Sequence, residues 1–250
     1  AATSVAVAPE EVVLVTLGSQ AADLSVGSMT EAPRPRRSGQ PWALWQRLAA
    51  GRTDFGNPDV FFGAAHVPDT QWVTFTVTTT RTEFFEQMTA LTGSEPGSGG
   101  LVTLKDSSWL VTLTIFHQPE VITQPPGTRL WWGFLLYPGR TGDFVKKPGN
   151  ACTGAEILEE VLRQLRFERQ LDAIMASSVC IPSDLPYVNS VWMPRMRSDQ
   201  PRAVPEGATN FGFLGQFAEV PKEVAFTIEY SARTAWEAIH RLLRRGPAPR

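Results

Sequence analysis

The octapeptide Trp72–Thr79 constrains this chain most, because Val73, Phe75 and Val77 alternate with Thr74, Thr76 and Thr78. A period of two puts the apolar residues on one face of a strand, and a helix cannot gather them into one stripe. The molecule must therefore hold a sheet with one buried face. Further strands are expected near residues 101–104 and 109–116, and over 130–137, a run that is apolar on both faces and so central. Short polar turns between these runs point to antiparallel order.

Helical periodicity fills the intervals. Pro41 sits at the first position of a helix over 41–50, with Trp42, Trp45, Leu48 and Ala49 on one face and Gly51 as the stop. Thr80 and Glu83 have capping-box spacing before Phe84, Phe85, Met88 and Leu91, and Gly93 terminates that helix. Thr153 and Glu156 repeat the spacing before Ile157, Leu158, Val161, Leu162 and Leu165. Further helices are expected over 168–176 and over 232–245, the last with Ala235, Trp236, Ile239 and Leu242 on its buried stripe. Residues 31–40 read as a Pro/Arg linker without core-forming potential, and residues 180–205, with five prolines, as ordered loop. Two more strands, at 12–15 and 211–214, are each followed by a glycine and are expected to meet in space. The fold class is α+β.

Composition narrows the function. A net charge of -2 implies no general attraction to nucleic acid. Eight Trp and 14 Phe among 250 residues suit a large core or an apolar ligand pocket. Cys152 and Cys180 do not form a close pair, and with only His66, His117 and His240 available no metal site is expected. Two reduced thiols fit a cytoplasmic setting. No apolar run is long enough for a bilayer, and the first residues lack both a signal-peptide pattern and an initiator Met, as a trimmed or partial chain would.

Three groups of residues could carry function. In the first, Thr16, Gly18 and Ser19 follow a strand and Ser28 lies just downstream, so backbone N–H groups could approach a flavin or phosphate. An ordinary strand-to-turn transition explains these residues more simply. In the second, a strand leads from Asn210 to Gly215, Gln216 and Phe217, with Glu219 beyond; the missing Cβ of Gly215 lets a ligand lie against the main chain, or merely permits tight packing. In the third, Asn189, Ser190 and Arg195 stand among Tyr187, Trp192 and Met193, a mixture suited to an apolar tunnel ending in a carboxylate clamp. A proline-rich surface loop with a solvated Arg fits equally well. Lys146 and Lys147 read as solvated, and His117, with no carboxylate nearby in sequence to orient it, stays outside the catalytic set. Arg241, Arg244, Arg245 and Arg250 could touch an anionic membrane surface, although a solvated helix end is the simpler account.

From about Val12 to Leu243 the chain resembles the C-terminal part of the oleate hydratases, once called myosin-cross-reactive antigens. The resemblance is carried by Thr16-Leu17-Gly18-Ser19, Gly27-Ser28-Met29-Thr30, Trp132-Gly133, Gly142-Asp143-Phe144-Val145-Lys146-Lys147-Pro148, and Pro186-Tyr187 followed by Met193-Pro194-Arg195. It continues through Pro205-Glu206-Gly207, Thr209-Asn210-Phe211, Gly215-Gln216-Phe217 and Phe226-Thr227-Ile228-Glu229-Tyr230-Ser231. Asn189 stands where many relatives have Thr.

The resemblance implies an FAD-dependent enzyme that adds water across a cis double bond of an unsaturated fatty acid such as oleate, giving a hydroxy fatty acid. It implies a partial FAD-binding domain over 1–30, a mostly antiparallel substrate-binding region over 31–205, and a return segment of the FAD-binding domain over 206–250. Thr16, Gly18, Ser19, Ser28, Asn210, Gly215, Gln216 and Phe217 would lie at the flavin, and Asn189, Ser190 and Arg195 at the fatty acid. The family's base is a Glu in an N-terminal Gly/Arg-rich motif and its acid a Tyr in the first half. Neither motif, nor a dinucleotide Gly-rich loop, occurs here, so no catalytic residue is expected in this chain. By itself it is expected to retain no FAD and to hydrate no oleate. The alternatives are a truncated, inactive fragment that at most binds lipid and a redox flavoenzyme of related layout. A cytoplasmic protein with peripheral membrane contact, homodimeric at full length, completes the expectation.

Overall fold

The computed structural model describes residues 4–118, 123–221 and 228–249, so Arg250 and the Phe226-Thr227 pair lie outside the described residues. Contacts divide the chain into two compact units, one from residues 1–22, 38–70 and 187–250 and the other from 23–37 and 71–186. Along the chain, β1 (Val13–Thr16) and β2 (Ser25–Val26) precede the short helices α1 (Ala43–Ala49), α2 (Asp59–Phe62) and α3 (Val67–Thr70). Then come β3 (Trp72–Thr79), α4 (Glu83–Thr92), β4 (Val102–Thr103), β5 (Val111–Ile115) and β6 (Arg129–Leu135). The chain continues through α5 (Gly154–Gln164), α6 (Leu171–Ser177), β7 (Ser178–Leu185), β8 (Phe211–Leu214) and α7 (Ile228–Leu243).

Among the described residues, the unit built on 71–186 holds a six-stranded sheet in the order β2-β7-β3-β6-β5-β4. Every pairing in it is antiparallel, as the short turns foretold. Val73, Phe75, Val77 and Thr79 are the buried residues of β3, and β6 is interior, paired with β3 and β5. Phe84 stacks on Trp131 at 4.1 Å, and α4, α5 and α6 supply Met88, Ile157, Leu158, Val161, Leu162 and Ile174 to the same core. Helix α5 begins with the capping box, in which the Thr153 hydroxyl accepts the Glu156 N–H and the Glu156 carboxylate accepts the Thr153 N–H.

Several expectations are corrected in this unit. Thr80 and Glu83 make no capping box: the N-cap is Thr82, without a side-chain bond, because Glu83 pairs with Arg81 instead. Leu91 on α4 is exposed. Lys147 is not simply solvated but donates to both Glu156 oxygens at 2.9 Å. The presumed linker is anchored, with Pro33 buried and Arg37 bonded at 3.3 Å to Asp184, a fully buried carboxylate that also accepts from Gln71. The first part of the supposed 180–205 loop, as far as Leu185, belongs instead to strand β7 (Ser178–Leu185), between β2 and β3. Pro182 is accommodated because its carbonyl points toward β2, accepting the Gly27 N–H at 2.8 Å, so its missing N–H is lost on the side where pairing is already short.

In the other unit β1 and β8 form a two-stranded parallel sheet, with Val13 opposite Phe211 and Thr16 opposite Leu214. The expected meeting of the first strand and the last segment is therefore present. Helix α7 packs on β8 through Tyr230, Thr234 and Ala238. Trp236 and Ile239, assigned to the buried stripe by sequence, are exposed, since the face turned to β8 is small and polar. Trp42, Trp45, Phe61, Tyr187 and Phe217 make an aromatic core.

Candidate functional site

The carboxyl ends of β1 and β8 bring Thr16 and Gly215 together. Ligands of parallel sheets gather at this end of the strands. Gly215 follows Leu214 with φ +90°, a backbone region that favours glycine, and a Cβ there would lie 3.3 Å from Thr16 Cγ2. The Gly215 N–H donates to Thr234 Oγ1 at 2.9 Å, and its carbonyl accepts the Ala218 N–H at 3.2 Å, which closes a turn. The Gln216 carbonyl accepts from Gln200 Nε2 at 3.0 Å. Beyond the turn, the Tyr230 hydroxyl accepts the Val220 N–H and donates to the Ala218 carbonyl, and the Glu219 N–H reaches the Pro201 carbonyl at 2.7 Å. The return segment is thus held on both sides of the glycine.

The remaining cofactor candidates have other surroundings. A Cβ on Gly18 would lie 2.3 Å from the Trp42 ring, so the absent side chain is filled by the aromatic core. Ser19 shapes a turn, its hydroxyl accepting the Ala21 N–H and its carbonyl the Ala22 N–H. Asn210 is at the amino end of β8, its carbonyl accepting the Val13 N–H, and so lies a strand's length from Gly215. The Phe217 ring is enclosed, 4.6 Å from Trp42 and 5.4 Å from Phe61. Ser28 belongs to the other unit. Its hydroxyl accepts the Thr30 and Glu31 N–H groups and its carbonyl the Gly154 N–H, so this Gly-Ser-Met-Thr run caps the start of α5.

Among the fatty-acid candidates, Asn189 is tied to α3, its N–H donating to the Thr70 carbonyl and its Nδ2 to the Asp69 carbonyl. Ser190 is fully buried and its hydroxyl has no partner among the described residues. Arg195 uses its guanidinium internally, on Gln200 Oε1 and the Val191 carbonyl. Sequence reasoning missed Gln200 and Thr234, which the fold aims at the glycine turn. Thr234 offered only a polar residue beside Ala235 and Trp236, and Gln200, within the charged run Arg197-Ser198-Asp199-Gln200-Pro201-Arg202, offered no distinguishing signal. A cavity of about 770 Å³ opens beside Gln200, lined also by Arg197, Arg202, Glu219 and Arg241.

The thiols offer no nucleophile. Burial, with Glu156 nearby, pushes Cys152 up to about 12, and burial raises Cys180 as well. Among the described residues no three His, Cys, Asp or Glu side chains are grouped to hold a metal, and no helix is long and apolar enough to cross a membrane.

A family model described as MCRA family matches residues 1–240. The chain is 34% identical over 253 residues to an oleate hydratase of Streptococcus pyogenes serotype M49 (strain NZ131), a match covering 97% of this chain and 42% of that protein. It is 30% identical over 243 residues to a linoleate hydratase of Lactiplantibacillus plantarum, covering 89% of this chain and again 42% of the relative. The chain therefore spans less than half the length of the curated relatives it matches.

Proposed function

The chain belongs to the MCRA family, and on that premise we propose that it supplies the C-terminal part of an FAD-dependent fatty-acid hydratase. Its substrate class is an unsaturated fatty acid, in keeping with relatives named oleate hydratase and linoleate hydratase. The observation that carries the reading is the β1/β8 pair. Parallel strands are ordinarily interior members of wider sheets. Here Val13 and Val15 turn their N–H and C=O groups to β8, while those of Leu14 and Thr16 face the other edge and have no backbone partner among the described residues. Leu14 is 40% exposed at that edge. A two-stranded parallel ribbon with one open edge is the expected remainder of a larger nucleotide-binding sheet.

The residues at its carboxyl end fit an FAD. The close approach of Gly215 to Thr16 leaves main chain where a Cβ would otherwise stand, and the turn after it presents peptide groups held in place by Thr234 and Gln200. Thr16, Gly215 and the Gln216 main chain would hold the cofactor, with residues 1–30 and 206–250 as its partial domain and 31–205 as the substrate-binding region. Bound flavin would order the site and its charge without being consumed as a redox reagent. Hydration requires a group to protonate the alkene and another to activate water; within these 250 residues no side chain is assigned either role. Asn189 and Ser190 remain as polar groups for the fatty-acid carboxylate, and the enzyme would work in the cytoplasm or at a membrane surface.

The test combines this chain with a polypeptide equivalent to the portion of the oleate hydratase relative that it does not cover. The expected result is a flavin spectrum and conversion of oleate to a product heavier by one water only when both parts are present. No flavin binding and no product from the combination would overturn the proposal.

A further inference from the structure

Residues 32–37 run along the sheet-bearing unit without secondary structure, and none of their N–H groups has a backbone acceptor among the described residues. Pro33 is buried, and beyond it the segment is exposed as far as Ser38. Among the described residues, its one polar side-chain tether to a distant part of the chain is the ion pair of Arg37 Nη1 with Asp184 Oδ2, at 3.3 Å. Asp184 is fully buried on β7, and Gln71 Nε2 donates to its other oxygen, Oδ1. Gln71 is held in turn, its Oε1 accepting Asn150 Nδ2 at 3.4 Å. A charge at such depth cannot cheaply be left uncompensated, so Arg37 leaves only where another donor takes its place.

Ser25 is such a donor. It lies directly opposite Asp184 in the β2/β7 register, and both side chains are buried on the same face. Opposed residues of an antiparallel pair have Cβ atoms about 4.5–5.5 Å apart. The Ser25 hydroxyl has no hydrogen-bond partner among the described residues, a costly state for a buried polar group. A serine turns its hydroxyl to a new acceptor by rotating one side-chain bond. The cluster also has a singular place in the chain, which passes between its two compact units after residues 22, 37, 70 and 186. Arg37 and Gln71 stand at two of these passages, and Ser25 and Asp184 lie within three residues of the other two.

We propose that Asp184 is a two-position latch on the connecting segment. Closed, it holds Arg37 and pins residues 32–37 to the sheet. Open, it accepts the Ser25 hydroxyl in place of the guanidinium while Gln71 stays bound, and the segment is freed with every strand still paired. The latch goes beyond the flavin reading and does not depend on it.

The experiment treats the folded full chain with trypsin and follows cleavage after Arg36 and Arg37 by mass spectrometry. Each rate is taken relative to the same bond in a synthetic peptide of residues 31–40 with the same substitution, and thermal unfolding serves as the control. Cleavage then tracks the open population. Asp184→Asn removes the charge that holds Arg37 and should raise both rates about tenfold. Arg37→Met should raise cleavage after Arg36 to a similar extent. Ser25→Ala removes the alternative donor, so the latch should stay closed longer and the parent's rates should fall about fivefold. Parental rates in a folded Asp184→Asn overturn the latch. If that variant does not fold, Arg37→Met decides, and cleavage after Arg36 no faster than in the parent overturns it equally. Ser25→Ala cut as fast as the parent overturns the open position and reduces Asp184 to a fixed anchor.

Discussion

Glu160, fully buried on α5, accepts the N–H groups of Asp143, Phe144 and Val145 at 2.7, 2.9 and 2.7 Å. This accounts for the Gly-Asp-Phe-Val-Lys-Lys-Pro run as architecture: one carboxylate gathers three main-chain donors into a tight loop against the helix. Bonds to a charged acceptor contribute about 1.5–3 kcal/mol each, and Glu160→Gln offers one oxygen and an NH₂ in its place. We expect a loss of about 3 kcal/mol in urea unfolding; a variant as stable as the parent would disprove the account. Asp143, in the same loop, is pushed up by burial but pulled below the usual carboxylate range by bonds from Ser108 and Gln164, which prevail. Glu156 is likewise raised by burial and more strongly lowered by Lys147 and Thr153. A carboxyl held low in the folded state adds stability that is complete above its unfolded value and vanishes as pH falls through the folded one. Acid loss should thus begin near the ordinary values of 4.5 for Glu156 and 3.8 for Asp143 and continue below them. Unfolding free energies of Asp143→Asn against pH should run flatter there than those of the parent, and parallel curves would refute this.

Elements differed in how far their sequences revealed them. Strand β3 was legible because both its buried and its outward face follow one period. Strand β7 was not, since Ser178, Cys180, Pro182 and Asp184 face inward while Val179 is 48% exposed, an inverted pattern made tolerable by Arg37 and Gln71 on the buried carboxylate. Two identical capping spacings had opposite outcomes for a similarly local reason: Arg81 claims Glu83, whereas Lys147 leaves Glu156 free to reach back to the Thr153 N–H. Thr153→Ala should therefore cost about 1 kcal/mol and Thr80→Ala a few tenths at most, compared by thermal unfolding. Equal losses would mean that spacing alone decides. At the candidate site, Gly215 was legible from its strand-then-glycine pattern. Gln200 was not, because its partners arrive from Arg195 and Gln216, positions that only the folded loop brings into range.

On the scale of the whole molecule, the unit around the six-stranded sheet is nearly continuous in sequence, while the other is assembled from three separated stretches. A chain ended after residue 186 should keep the antiparallel sheet and its helices but leave β1 without β8. Hydrogen exchange should then find protected amides in β3, β5 and β6 and none in β1. Protection of β1 in that shortened chain would show that it has a partner other than β8. The distance between Thr16 and Phe211 also has a cost during synthesis. At about 5–20 residues per second, β1 waits roughly 10–40 s after leaving the ribosome before its partner strand exists. A nascent chain must keep that apolar edge from pairing with neighbours for the whole interval, which makes translation speed and chaperone supply, as much as sequence, determinants of how much of this protein reaches its folded form.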